Sequence, residues 1–412
     1  MLSLAVEATR LVGPSVAQLK SSMKSSTIER DGKFESDSRF DLGGEFKFPK
    51  GGNARIDLMA KSALRNLSAS LLGQSFVHPI FDYMLIGGGL SLVVGACVLP
   101  NPGAALTFSA ASLPYIILLS NSAHFAASTV RLYTKPGAFH SLPFVTMALP
   151  LVSLVLLTTC MRFAGTLGPH LTSLYLTWSP YHYAAQAYGL AVMYCYRSGC
   201  RLSAGNKKLL WWMSMLPFFY VFSTGSNVGL HWIDIAGWLD DRPSIDAFLK
   251  TFQFALPLVG IVGTVYLWKN VSLHQGRPMP LISVLLLITN AVWWFILRPG
   301  NAFVWATIFH GIQYLAIVVF FHVKDQMGRP NQRHTATYHV LWFYGACVVL
   351  GYALFNCFPQ AFVLAGFGPV ESVLLVVAAI NIHHFFVDAY IWRLKKTDAN
   401  RTIVDTGATA PL

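Results

Sequence analysis

From about residue 83 onward, long apolar runs alternate with short polar breaks. Each run is about 18 to 25 residues long, the length a helix needs to cross a hydrocarbon core of ~30 Å. The pattern predicts ten spans, at about 83–99, 107–131, 142–163, 171–196, 209–229, 247–268, 279–297, 302–322, 339–358 and 371–393. Pro114 breaks the second, and Pro217 with the Ser-Thr-Gly-Ser run at 223–226 interrupts the fifth. Upstream, Ile56, Met59, Leu64, Leu67, Leu71 and Leu72 recur at helical spacing among Arg55, Lys61 and Arg65. This predicts an amphipathic helix over 53–78, lying in the membrane interface. Residues 1–52 are rich in Ser, Lys and Gly with charges of both signs, and are expected to be disordered because they cannot bury enough apolar surface to fold alone. Their first 25 residues, with Arg10, Lys20, Lys24 and the single acid Glu7, share the composition of an organelle transit segment. The expected architecture is therefore all-α: a polytopic membrane helix bundle over 79–396, followed by a tail at 397–412.

Composition agrees with this pattern. The 412 residues are 54% apolar and only 12% charged, too apolar for a soluble globule of that length. The net charge of +12 is unevenly distributed. Eleven basic residues precede the first predicted span and fifteen follow even-numbered spans, whereas only Arg162, Arg242, Lys250 and Arg298 fall in odd-numbered loops. Such an asymmetry places both termini on the cytoplasmic side. The basic face suits anionic membrane lipids, and no basic module of the nucleic-acid-binding kind is present, so no nucleic-acid partner is expected. The sequons at Asn66, Asn270 and Asn400 fall on that same face and are expected to go unused. The six cysteines form no Cys-x-x-Cys pair and read as small buried thiols.

Histidine carries the chemistry. His124, His182, His310 and the pair His383 and His384 lie inside even-numbered spans, and Asp388 is the only acid in the interior of a span, Glu371 standing at the first position of the last one. Ionisable groups are costly in hydrocarbon, and imidazoles from separate helices are a common way to hold a transition metal there. Counted back from Arg131, Arg197, Lys324 and Arg393 at 1.5 Å per residue, the rings lie about 10 to 23 Å from the basic ends. They can thus converge near mid-membrane. The metal set predicted is His124, His182, His310 and His384. Gln186, Gln313, Asn381 and Asp388 lie at helical spacing from these rings and are expected to support them, with Asp388 accepting the second ring N–H of His384. His383 points about 100° away from His384, and it and Tyr314 are candidates for positioning substrate or transferring a proton. His78, His140, His170, His231, His274, His322, His334 and His339 lie near interfaces or loops and are expected to be solvated.

Several chemistries are excluded by spacing. The histidine boxes of di-iron desaturases, the same-helix pairs that bind stacked haems and the His-Glu-x-x-His of zinc proteases are all missing. By contrast, His124-Phe125-Ala126-Ala127-Ser128 and the stretch from His383 to Asp388 resemble the His-Phe-Gly-x-x-Asp and His-x-x-x-x-Asp elements of the Brp/Blh family of membrane carotene-cleaving dioxygenases. The likeness covers about twenty residues and its first element lacks the acid. It implies a four-histidine Fe2+ site. The function expected is a membrane oxidoreductase that uses non-haem iron, or another transition metal, to activate O2 on a lipophilic, lipid or isoprenoid-like substrate, with scope for a redox partner. The alternatives are a metal- or proton-coupled transporter built on the same histidines, and a non-catalytic or haem-binding scaffold.

Overall fold

The computed structural model describes residues 71–98, 112–224, 228–234, 237, 239, 242–275, 278–297 and 302–392. The predicted segments 1–52 and 397–412, and most of 53–78, lie outside the described residues. Everything described is helix, turn or loop, with no strand among the described residues. In chain order the principal helices are α1 (Pro79–Ile86), α2 (Gly89–Val98), α3 (113–134), α4 (Phe144–Arg162), α5 (Leu167–Arg197) and α6 (Ala204–Thr224). They continue with α7 (Pro243–Gln275), α8 (Leu281–Phe295), α9 (Ala302–Met327), α10 (Ala336–Leu364) and α11 (Pro369–Ile391).

Each of the ten predicted segments coincides with one of these helices or, for the first, with the pair α1 and α2. Among the described residues, five helices, α4, α7, α9, α10 and α11, are long and apolar enough to cross a membrane, and the α1–α2 pair makes a sixth if its 60° bend belongs to one span. The count is below ten for physical reasons. α8 has only 15 residues, and α5, although 31 residues long, is diluted by His, Gln and Tyr side chains that face protein rather than lipid. The bend falls at Gly88, whose φ of +78° lies in the left-handed region that favours glycine.

The bent pair also brings a second carboxylate inside the fold. Asp82 is fully buried and accepts from the backbone N–H groups of Phe76 and Val77 and from the Tyr194 hydroxyl at 2.8 Å. It thereby closes the turn that leads into α1, and Asp388 is not the only acid buried among the helices.

Five of the described helices contain internal proline (Pro150, Pro180, Pro217, Pro257 and Pro359), which membrane helices tolerate where neighbouring groups satisfy the freed backbone. Four short π-helical turns occur among the described residues, at Leu118–Ser122, Phe144–Ala148, Ala353–Cys357 and, ending α1, Asp82–Ile86. The first lies directly before His124. Packing separates an inner set of helices from an outer one. Over half of the most apolar stretch is buried in α9 (61%) and α11 (56%), against 6% in α7 and 17% in α10. α3 packs on α9, α10 and α11, while α5 packs on α6, α8 and α11, so the centre of the bundle lies where α3, α5, α9 and α11 meet.

Candidate metal centre

Each of those four inner helices delivers one imidazole to the same place. His124 comes from α3, His182 from α5, His310 from α9 and His384 from α11. All four are buried, and none is more than 8% exposed. Ring centroids stand 4.8 Å apart for His124 and His310, 5.0 Å for His310 and His182, 5.1 Å for His182 and His384, and 4.5 Å for His384 and His124. The rings therefore form a closed quadrilateral. Imidazoles bound to one metal through nitrogens at about 2.1 Å have centroids about 3.2 Å from the ion, hence about 4.6 to 5.3 Å apart at angles between square and tetrahedral. The observed spacings are those at which the four rings could share one ion.

The polar accounting points the same way. Both ring nitrogens of His124 and of His310, together with Nε2 of His182 and of His384, are buried without a hydrogen-bond partner among the described residues. The Asn121 carbonyl interacts with the His124 ring only outside hydrogen-bonding geometry. An unsatisfied buried polar group costs about 1–3 kcal/mol, and a ligand shared by the four rings would satisfy one nitrogen of each. Two triads have ligand atoms all within 4.8 Å of one another: His124 with His182 and His310, and His182 with His384 and Asp388.

Asp388 takes a different part from the one predicted. The Ser128 hydroxyl lies 3.1 Å from the Phe125 carbonyl, to which it can donate, and 2.9 Å from His384 Nδ1. When the hydroxyl donates to Phe125, His384 Nδ1–H donates to Ser128 and Nε2 carries the free lone pair that a metal would need. That lone pair is on the same side as Asp388, whose Oδ2 is 3.4 Å from His384 Nε2 and 3.7 Å from His182 Nε2. Ser128 thus meets the ring at Nδ1, and the Asp388 carboxylate stands beside its Nε2. Its other oxygen, Oδ1, accepts from the Tyr314 hydroxyl at 2.6 Å, and the Trp392 indole N–H donates to Tyr314 at 3.3 Å.

The predicted amides are placed elsewhere. Gln186 Nε2 donates to the His310 backbone carbonyl at 3.4 Å, tying α5 to α9 without reaching an imidazole nitrogen. Gln313 packs over Gly88 at the bend, and Asn381 donates to Val377 within its own helix. His383 makes no ring contact with the four; it shares a helical face with Val387 and Ile391, which pack on Leu132, Val145 and Leu149. Its Nε2 is buried and unpartnered. In place of the amides, aromatic rings frame the centre. Tyr183 stacks on His310 at 4.1 Å and bonds Thr307, Phe385 stacks on His182 at 4.5 Å, and Tyr314 meets His124 edge-on at 4.7 Å. Tyr183 directly follows His182 in sequence, yet nothing in its own helix signals a contact across to α9.

Outside the centre, two expectations are corrected. His322 and His339 are buried at 3% and 6% exposure instead of solvated, because the end of α9 packs against the start of α10 and stacks His322 on Phe343 and Trp342. Cys97 and Cys357 are exposed, whereas the other four thiols are buried as expected. No protein-family model, curated protein or solved structure matches this chain.

Proposed function

We propose that this chain is an integral-membrane oxidoreductase whose four imidazoles and Asp388 hold a transition metal, iron in the first place. The observation that carries the reading is the closed ring of four imidazoles at metal-sharing distances with their facing nitrogens unpartnered. Neutral imidazole suits iron, zinc, copper and nickel, and the cluster contains no thiolate that would favour a softer site. Iron is favoured because a centre enclosed by aromatic and aliphatic side chains among membrane helices is poorly suited to hydrolysis and accessible to dissolved oxygen. Bound there, ferrous iron would supply the one-electron chemistry needed to activate O2 against a lipophilic substrate drawn from the bilayer.

The protein's own share of that chemistry is positional. Ser128 holds the His384 ring with its Nε2 lone pair inward. Asp388 supplies the one negative charge beside the imidazoles, and Tyr314 keeps one of its oxygens occupied so that the other faces the centre. Tyr183 and Phe385 hold the His310 and His182 rings in place by stacking. The enclosure of all four rings favours a resident cofactor over the transporter alternative, in which a site must open to water on both sides in turn.

The test is metal analysis of detergent-purified protein. Near-stoichiometric iron is expected, and His182→Ala, His310→Ala or His384→Ala should remove most of it. A folded triple variant with wild-type metal would end the reading, and stoichiometric zinc in place of iron would leave the centre standing but overturn the oxygen chemistry.

A further inference from the structure

A cavity of about 190 Å³ opens at the basic end of the bundle, between the last turns of α3 and α9, and it is separate from the metal centre. Arg131, Lys135 and Arg329 line it together with His322, Asp325 and Thr134. Asp325 pairs with Arg131 at 3.0 Å, and Arg329 donates one N–H to the Thr134 carbonyl at 3.2 Å, capping the end of α3. These contacts neutralise only one of the three cations. With His322 neutral, the lining carries a net charge of +2. His322 adds the observation that points to a ligand, since it is 3% exposed and its Nε2 has no hydrogen-bond partner. Because His322 lines the same cavity as the cations, a polar group that enters it can offer this nitrogen a partner. A metal cation would be repelled by such a lining, and an apolar guest would leave the imidazole nitrogen unsatisfied. A group with several acceptor oxygens and negative charge satisfies both demands, and basic pockets between membrane helices are suited to phosphate headgroups.

We propose that the cavity between α3 and α9 binds a phosphate-bearing group through Arg131, Lys135, Arg329 and His322. The group can belong to an anionic phospholipid of the surrounding leaflet or to a soluble phosphate compound, and the chemistry of recognition is the same. This inference does not depend on what the metal centre does.

The experiment uses the full chain purified in detergent, with native mass spectrometry and thermal melting as readouts. The probes are dioleoyl phosphatidic acid, dioleoyl phosphatidylcholine and inorganic phosphate. Phosphatidic acid is expected to bind and to raise the melting temperature, while zwitterionic phosphatidylcholine at equal concentration does neither. Lys135→Gln with Arg329→Gln should weaken binding by about tenfold or more, and Lys135→Gln alone, at an exposed position where folding is not at risk, by about threefold. Lys208→Gln, an exposed charge outside the cavity, should change nothing. Inorganic phosphate that competes with phosphatidic acid would assign the cavity to a soluble phosphate, and failure to compete would assign it to the lipid; either supports the proposal. It is overturned if neither probe binds, if the cavity variants bind as wild type does, or if Lys208→Gln costs as much as Lys135→Gln.

Discussion

At the scale of single residues, Ser128 and Asp388 divide between them a task that sequence spacing assigns to Asp388 alone. Ser128 holds His384 by its outer nitrogen. Ser128→Ala should therefore leave the helices intact while weakening metal retention about 10- to 100-fold, as loss of an outer partner typically does; competition against a graded chelator series measures this. Asp388→Asn is a harsher change: it keeps an acceptor for Tyr314 but removes the charge facing His182 and His384. A loss of retention beyond ~100-fold is expected, and a folded variant with full occupancy would remove Asp388 from the ligand set. The residue-level legibility of the site follows from cost. An imidazole in an apolar run is expensive, so His124, His182, His310 and His384 stand out and their depths can be counted. The Ser128–His384 bond joins positions far apart in the chain and depends on how two helices are rotated against each other, which no local pattern records.

At the scale of elements, the position of His124 depends on how closely its neighbours approach α3. A β-carbon at Gly351 on α10 would fall 2.7 Å from the Ser122 carbonyl, and one at Gly311, next to His310 on α9, 2.8 Å from the Ser120 carbonyl. Both contacts bear on the π-helical turn that precedes His124. Small residues at such crossings let membrane helices pack backbone to backbone. Gly351→Ala should accordingly cost about 1–3 kcal/mol by overpacking and, because the displaced segment carries His124, lower metal content as well. Thermal melting and metal analysis on the same sample test the coupling; a destabilised variant with unchanged metal would separate the turn from the site. The helices themselves are legible in the apolar runs to within several residues. The π turns are not, since Leu118–Ser122 has no composition that distinguishes it from regular helix. The burial of His322 is equally hidden, because a histidine near a helix end reads as interfacial until the neighbouring helix is seen to cover it.

At the scale of the whole molecule, the inner helices α9 and α11 are mostly buried and carry site residues, while α7 presents an almost continuous apolar surface that suits lipid. The asymmetry of basic residues along the chain leads to a topological prediction: the segments before residue 76 and after residue 396 lie on one side of the membrane. Tags at the two ends should respond alike to protease on sealed vesicles, and unequal protection would reverse the assignment. The four imidazoles also have an order in time. His124, His182 and His310 precede His384 in the chain, so the fourth ring and Asp388 are the last parts of the site to be made. A chain that stops short of α11 can insert three rings but cannot close the quadrilateral. Cofactor loading would then wait for α11, and a quality-control protease that recognises the open, metal-free bundle could tell a closed site from an open one.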